Sequence, residues 1–128
     1  MPTHATLLIV EDDAGVREAL MEILRPEGYR VLTAATVHEA EEARWQLTPG
    51  GIDVVIANIH LTADREAREG YALWQRWTAL DPQLRFILIS GDLHARDLPA
   101  IRAGAVLWLS KPFSPAEVLE AVRDALGR

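Results

Sequence analysis

A chain of 128 residues holds one ordinary hydrophobic core and is too short for two. With 49% apolar and 25% charged residues, no apolar run near membrane-spanning length, no cysteine and no basic-then-apolar leader, it reads as one globular domain without disulfides or membrane association, expected in the cytosol. A formal net charge of −6, with one lysine and twelve scattered arginines, argues against direct DNA binding.

The first predicted element is a strand over Thr6–Val10, apolar at nearly every position. Val16, Leu20, Ile23 and Leu24 then share one helical face. A second strand is expected from Tyr29 to Ala34, followed by a helix whose apolar face is Val37, Ala40, Ala43 and Leu47. A third strand from Asp53 to Ala57 precedes a helix presenting Tyr71, Trp74, Trp77 and Leu80, and a fourth strand covers Leu84 to Ile89. Gly91 to Asp97 reads as a loop, and Pro99, excluded from a helix interior, opens a short fourth helix from about Leu98 to Ala103. A fifth strand, Ala105 to Leu109, leads to a last helix marked by Ser114 at the cap, Pro115 at the first position and Glu117 at the third. Trp45, Trp74 and Trp77 are assigned to packing on apolar helix faces.

Strand and helix alternate five times, and three strands are apolar at consecutive positions, which fits a sheet covered on both faces. The expected fold is α/β, a doubly wound five-stranded parallel sheet with flanking helices, and ligands of such sheets sit at the carboxyl ends of the strands. Those ends carry Glu11-Asp12-Asp13, Asn58, Ser90-Gly91 and Ser110-Lys111-Pro112. Three consecutive acids repel one another, which a cation or a nearby ammonium would relieve; the plainer role for Asp13 is to cap the first helix. Lys111 is the one lysine in an arginine-rich chain, and it stands at a strand end facing the acids.

With those motifs in place, the chain resembles the receiver domain of bacterial two-component response regulators, over essentially its whole length, with no output domain expected in it. Leu7 to Asp13 is similar to that family's acidic first strand, Leu24 through Val31 to its passage into the second, Phe86 to Gly91 to its fourth strand, and Gly104 to Phe113 to its lysine-proline corner. The resemblance implies a flavodoxin-like fold and an aspartyl-phosphate switch. In it Glu11 and Asp12 would hold Mg²⁺, Ser90 would be the hydroxyl that follows the phosphoryl group, Lys111 its ammonium partner and Trp108 an aromatic rotamer switch.

The residue at the phosphoacceptor position of that pattern is Asn58. A carboxamide is no anionic nucleophile and a poorer ligand for a hard cation, so the acceptor role and the third metal position are weakened together. Three carboxylates and one ammonium would give the pocket −2; with Asn58 it carries −1, and Mg²⁺ is expected to be weak or absent. Asn58 is expected to accept a hydrogen bond from Lys111, keeping the pocket's shape. The loop beyond departs as well: Thr62 replaces the usual proline, the stretch to Gly70 looks longer than typical, and Asp64, Arg65, Glu66, Arg68 and Glu69 alternate in sign as solvated residues do. His60, two residues beyond the acceptor position, could in principle take a phosphoryl group or a metal, but a lone loop histidine is usually neither.

The leading expectation is a non-enzymatic receiver-like module, not phosphorylated at the usual position, that binds a histidine kinase or other signalling protein. A homodimer through the fourth helix, fifth strand and fifth helix would use Trp108. The alternative is a conventional Mg²⁺-dependent receiver in which Asn58 was engineered from aspartate. A nucleotide- or flavin-binding protein is a third reading, against which stands the lack of a glycine-rich turn after the first strand.

Overall fold

The computed structural model describes residues 5–47, 51–64 and 66–128. Five parallel strands, β1 (Thr6–Val10), β2 (Arg30–Ala34), β3 (Val54–Asn58), β4 (Arg85–Ser90) and β5 (Leu107–Ser110), lie in the order β2-β1-β3-β4-β5. The helices are α1 (Ala14–Leu24), α2 (Val37–Leu47), α3 (Glu69–Leu80), α4 (Pro99–Arg102) and α5 (Pro115–Leu126). No helix among the described residues is long and apolar enough to cross a membrane.

Alternation along the strands divides the core in two. Leu7, Ile9, Val54, Ile56, Ile87 and Ile89 face α1 and α5 through Leu20, Leu24, Val118 and Val122. Leu8, Val10, Val55, Ala57 and Leu88 face the other layer through Ala40 of α2 and Leu73 and Trp77 of α3. Both faces are covered, which is why β1 and β3 are buried at every position and carry no alternating polar residue. Trp77 anchors the second layer: its Nε1 donates to Glu41 Oε1 at 3.1 Å, Arg44 lies 5.2 Å over its ring, and Phe86 meets it edge-on at 6.0 Å.

Several expectations are corrected in detail. The third and fourth strands begin and end one residue later than expected, because Asn58 and Ser90 remain in the ladder. Asp53 stays outside β3 and accepts the Thr6 N–H through Oδ2 at 2.8 Å. The second strand starts at Arg30 rather than Tyr29, and the fifth covers Leu107–Ser110 rather than Ala105 to Leu109, since Gly104 turns the chain with φ 74°. Gly91 to Asp97 is not all loop: Leu93–Asp97 forms a 3₁₀ turn that Asp92 caps by accepting the His94 N–H. The fourth helix is shorter than expected, with Leu98 as its cap. Trp45, assigned to packing, is 82% exposed, and Leu80 is 73% exposed where α3 has run past the edge of the core.

Candidate functional site

At the carboxyl edge of the sheet the strand ends deliver their polar residues to one place. Glu11, Asp12, Asn58, Ser90 and Lys111 line a cavity of about 370 Å³, together with Asp13, His60, Thr62 and Asp92. The ladder itself sets the spacing. Asn58 and Ser90 are the last residues of β3 and β4, Glu11 continues β1 by donating its N–H to Ala34 O, and Lys111 continues β5 by donating to Ser90 O at 2.9 Å.

Glu11 is fully buried. Its Oε2 stands 2.9 Å from Lys111 Nζ, and its Oε1 accepts from Asn58 Nδ2 at 3.1 Å and from the Asp13 N–H at 3.2 Å. Burial pushes its pKa above the ordinary carboxylate value, and the Lys111 ammonium and the Asp13 N–H offset only part of that. Asp13 caps α1, its Oδ1 accepting from Gly15 and Val16 N–H groups at 2.8 and 3.2 Å, so of the three acids only Glu11 and Asp12 turn their side chains to Asn58.

The Asn58 side chain is turned opposite to the expected sense. It does not accept from Lys111; its Nδ2 donates to Glu11 Oε1 at 3.1 Å, to Asp12 Oδ1 at 3.4 Å and to the His60 carbonyl at 2.7 Å. Three acceptors on one side of the amide decide its orientation, since the flipped form would aim Oδ1 at three other oxygens. Lys111 pairs with Glu11 instead. The Mg²⁺ implied by the resemblance therefore does not fit these residues: where a cation would need lone pairs, the site presents an NH₂ group and a carboxylate already paired to an ammonium. Among the described residues no group of three His, Cys, Asp or Glu side chains is arranged to hold a metal.

Ser90 is buried, and its Oγ accepts the Asp92 N–H at 2.9 Å, which ties it to the capped 3₁₀ turn. His60, given no role on sequence grounds, lies at the rim of the cavity with Nε2 3.9 Å from Asp92 Oδ2, so the β3–α3 and β4–α4 loops meet over the site. Trp108 lies beside Leu88 in the ladder, half-buried against the α3-side core with Leu98 and Ile101 of the α4 region packed on that same core, and its buried Nε1 has no hydrogen-bond partner among the described residues. It belongs to the α4–β5 surface and does not line the acid cavity.

The loop over the cavity is fastened by Glu69, the first residue of α3, which the alternating charges place among the solvated residues and which is instead half-buried and hydrogen-bonded. Its Oε1 accepts the Leu61 N–H at 3.1 Å and its Oε2 accepts the Thr62 hydroxyl. Desolvation alone would raise the Glu69 pKa, but the Thr62 and Leu61 hydrogen bonds outweigh it and hold the carboxyl below its ordinary value. Of the alternating charges expected in this loop, Asp64, Glu66 and Arg68 are exposed, Arg68 with φ 42°, and Arg65 lies outside the described residues. Gly70 is pressed against Asn58: a Cβ there would fall 1.9 Å from the Asn58 carbonyl oxygen.

Comparison with known proteins agrees with this architecture. The family model of the response regulator receiver domain matches residues 7–123. The chain is 33% identical over 125 residues to the sensor kinase CckA of Brucella abortus, covering 95% of this chain and 12% of that one. It is 33% identical over 118 residues to the chemotaxis protein CheY of Thermotoga maritima, covering 91% and 92%. Among solved structures, a CheY-like receiver domain protein of Methanospirillum hungatei superposes with a TM-score of 0.80 at 26% identity, covering 98% of this chain and 95% of that one. Against longer relatives the chain spans only a part, 26% in the case of the transcriptional regulator DctD of Rhizobium meliloti. Fold, family match and identity agree: the chain belongs to the response regulator receiver domain family of two-component signalling.

Proposed function

We propose that this receiver domain takes no phosphoryl group at the end of β3 and acts by binding another signalling protein, a histidine kinase or a further regulator. One observation carries the reading. The residue at the acceptor position, Asn58, is a carboxamide whose nitrogen is already donating to Glu11, Asp12 and the His60 carbonyl. An amide nitrogen delocalises its lone pair into the carbonyl and carries no negative charge, so it has nothing to offer an incoming phosphorus atom. Lys111, the group that would neutralise a transferred phosphoryl, is held by Glu11, and Ser90 is held by the Asp92 N–H.

In this reading the receiver frame is kept for recognition. Mg²⁺ is bound weakly or not at all, no reaction is catalysed, and the binding face is the surface of α4, β5 and α5 that includes Trp108, whether for a partner or for a second copy. Tryptophan on a partly buried surface is a favoured anchor because it brings a large apolar area at little entropic cost. The negative net charge supports a protein partner over DNA, and the absence of cysteine is compatible with a cytoplasmic setting.

The test is intact mass after incubation with acetyl phosphate and Mg²⁺, on this chain and on Asn58→Asp in parallel. The expected result is no phosphoryl gain for the chain as it stands and a gain for Asn58→Asp. Phosphoryl uptake by the unsubstituted chain would overturn the reading and redirect the search to another acceptor, His60 or Asp64 first.

A further inference from the structure

The geometry points to Asn58 as a built-in stand-in for a divalent cation: its NH₂ group ties Glu11, Asp12 and the His60 carbonyl together, so the acid pair and the β3–α3 loop keep one arrangement without metal. Three oxygens from two separate segments converge on Nδ2 at 2.7 to 3.4 Å. Convergence of carboxylate and carbonyl oxygens on one point is what a hard cation demands, and only a cation or a multiple donor can occupy that point without repulsion. Two N–H groups serving three acceptors make the weaker version of the same bond set, with longer distances than the roughly 2.0–2.1 Å that Mg²⁺ imposes.

Asparagine and aspartate at this position then differ by more than nucleophilicity. With aspartate, an oxygen would stand where the NH₂ group now donates, and the same three oxygens would have to move apart, compete for Lys111 or take up a cation. With asparagine, the donors are covalently attached to β3, and a cation can enter only by turning the amide away from three partners. Lys111 completes the arrangement by neutralising Glu11, the fully buried member of the pair. The stand-in rests on the phosphorylation-independent reading and extends it: the domain is metal-independent as well as phosphoryl-independent, fixed in a single pocket state that a partner can recognise at all times.

Two measurements on the full chain decide it. In the ¹⁵N-labelled protein, the Asn58 side-chain amide protons should be shifted from the positions of exposed amides, exchange slowly with water, and stay in place when millimolar MgCl₂ is added. In calorimetric titration with MgCl₂ and in thermal melts with MgCl₂ or EDTA, Asn58→Asp should bind the ion at least about tenfold more tightly than the unsubstituted chain, and its melting temperature should depend on the ion where the unsubstituted chain's does not. An Asn58→Asp variant that folds only with MgCl₂ supports the stand-in most strongly, and if that variant does not fold under either condition the amide resonances alone decide. Rapid exchange of the Asn58 amide protons, or a melting temperature of the unsubstituted chain that rises with MgCl₂, overturns the stand-in. Phosphoryl uptake by the unsubstituted chain would defeat the reading beneath it, whereas a magnesium response without uptake would defeat the stand-in alone.

Discussion

Lys111 Nζ lies 2.9 Å from Glu11 Oε2, so the pocket's one ammonium is committed to a buried carboxylate of the first strand and not to residue 58. Glu11 is fully buried, while the Lys111 side chain keeps 24% of its surface in solvent. Removing the lysine strands a charge in the interior, whereas removing the acid lets the lysine swing outward. The two halves of the pair are therefore unequal.

Lys111→Met should cost about 3 kcal/mol at pH 7, the low end for breaking a buried pair. Glu11→Gln combined with Lys111→Met should recover a substantial part of that loss, because the buried charge is gone. Urea denaturation of the single and double variants checks both signs. A double variant less stable than Lys111→Met would mean that Glu11 is solvated or paired elsewhere.

Gly70→Ala should destabilise by roughly 3 kcal/mol or more, since the added methyl meets the Asn58 carbonyl and α3 must back away from β3. Gly104, with a φ of 74° and open space around it, offers a contrast: Gly104→Ala strains the backbone without a clash. Its loss should be smaller, about 1 kcal/mol, the cost of a left-handed conformation for a residue with a Cβ. Thermal melts of the two variants side by side separate crowding from conformation.

The Glu69 carboxyl is held below its ordinary pKa, so the ionised form is favoured in the folded chain. Its contribution to stability is present above the unfolded-state value, near 4.5, and is lost as pH falls below that through the depressed folded value. Thr62→Val removes the hydroxyl donor and should flatten this acid limb of the stability curve, its effect shrinking as the pH falls through the depressed value. Denaturant midpoints between pH 3 and pH 7 read the difference.

Ser114→Ala should cost about 1 kcal/mol. Ser114 Oγ accepts the Glu117 N–H at 3.1 Å, and Glu117 Oε1 accepts the Ser114 N–H at 2.9 Å. A fall in melting temperature of about 3–5 °C is the expected reading for a chain of this size. Glu117→Gln, which preserves an acceptor, should lose less.

The sequence announces what depends on local pattern. Thr6–Val10 is a strand because consecutive aliphatic residues need both faces covered, and the Ser114-Pro115-Ala116-Glu117 start of α5 is legible because capping is decided within four residues. The 3₁₀ turn at Leu93–Asp97 carried a signal that could have been read, an aspartate at 92 placed to cap the turn. Other features had no local trace. Whether the Asn58 amide presents its oxygen or its nitrogen is decided by which oxygens the neighbouring segments bring, 46 and 47 positions away in the chain, and charge counting cannot supply a direction. The grip of Glu69 on Thr62 likewise spans a loop whose path is set by where α3 lands on the sheet.

Gly70 donates its N–H to the Ile59 carbonyl at 2.9 Å, and Ile59 in turn donates to Ile89 O at 2.9 Å. The segment from 60 to 69 therefore leaves the sheet and returns to nearly the same point, a closed ring hung from one fixed hinge pin. The entropy of closing such a ring grows only with the logarithm of its length, roughly 0.6 kcal/mol for each doubling. A change of length that spares His60, Leu61, Thr62 and Glu69 therefore has a small thermodynamic cost, while the floor beneath the ring, Asn58 with its acids, stays where the ladder puts it. The rim over the cavity can thus change shape without disturbing the frame that carries it.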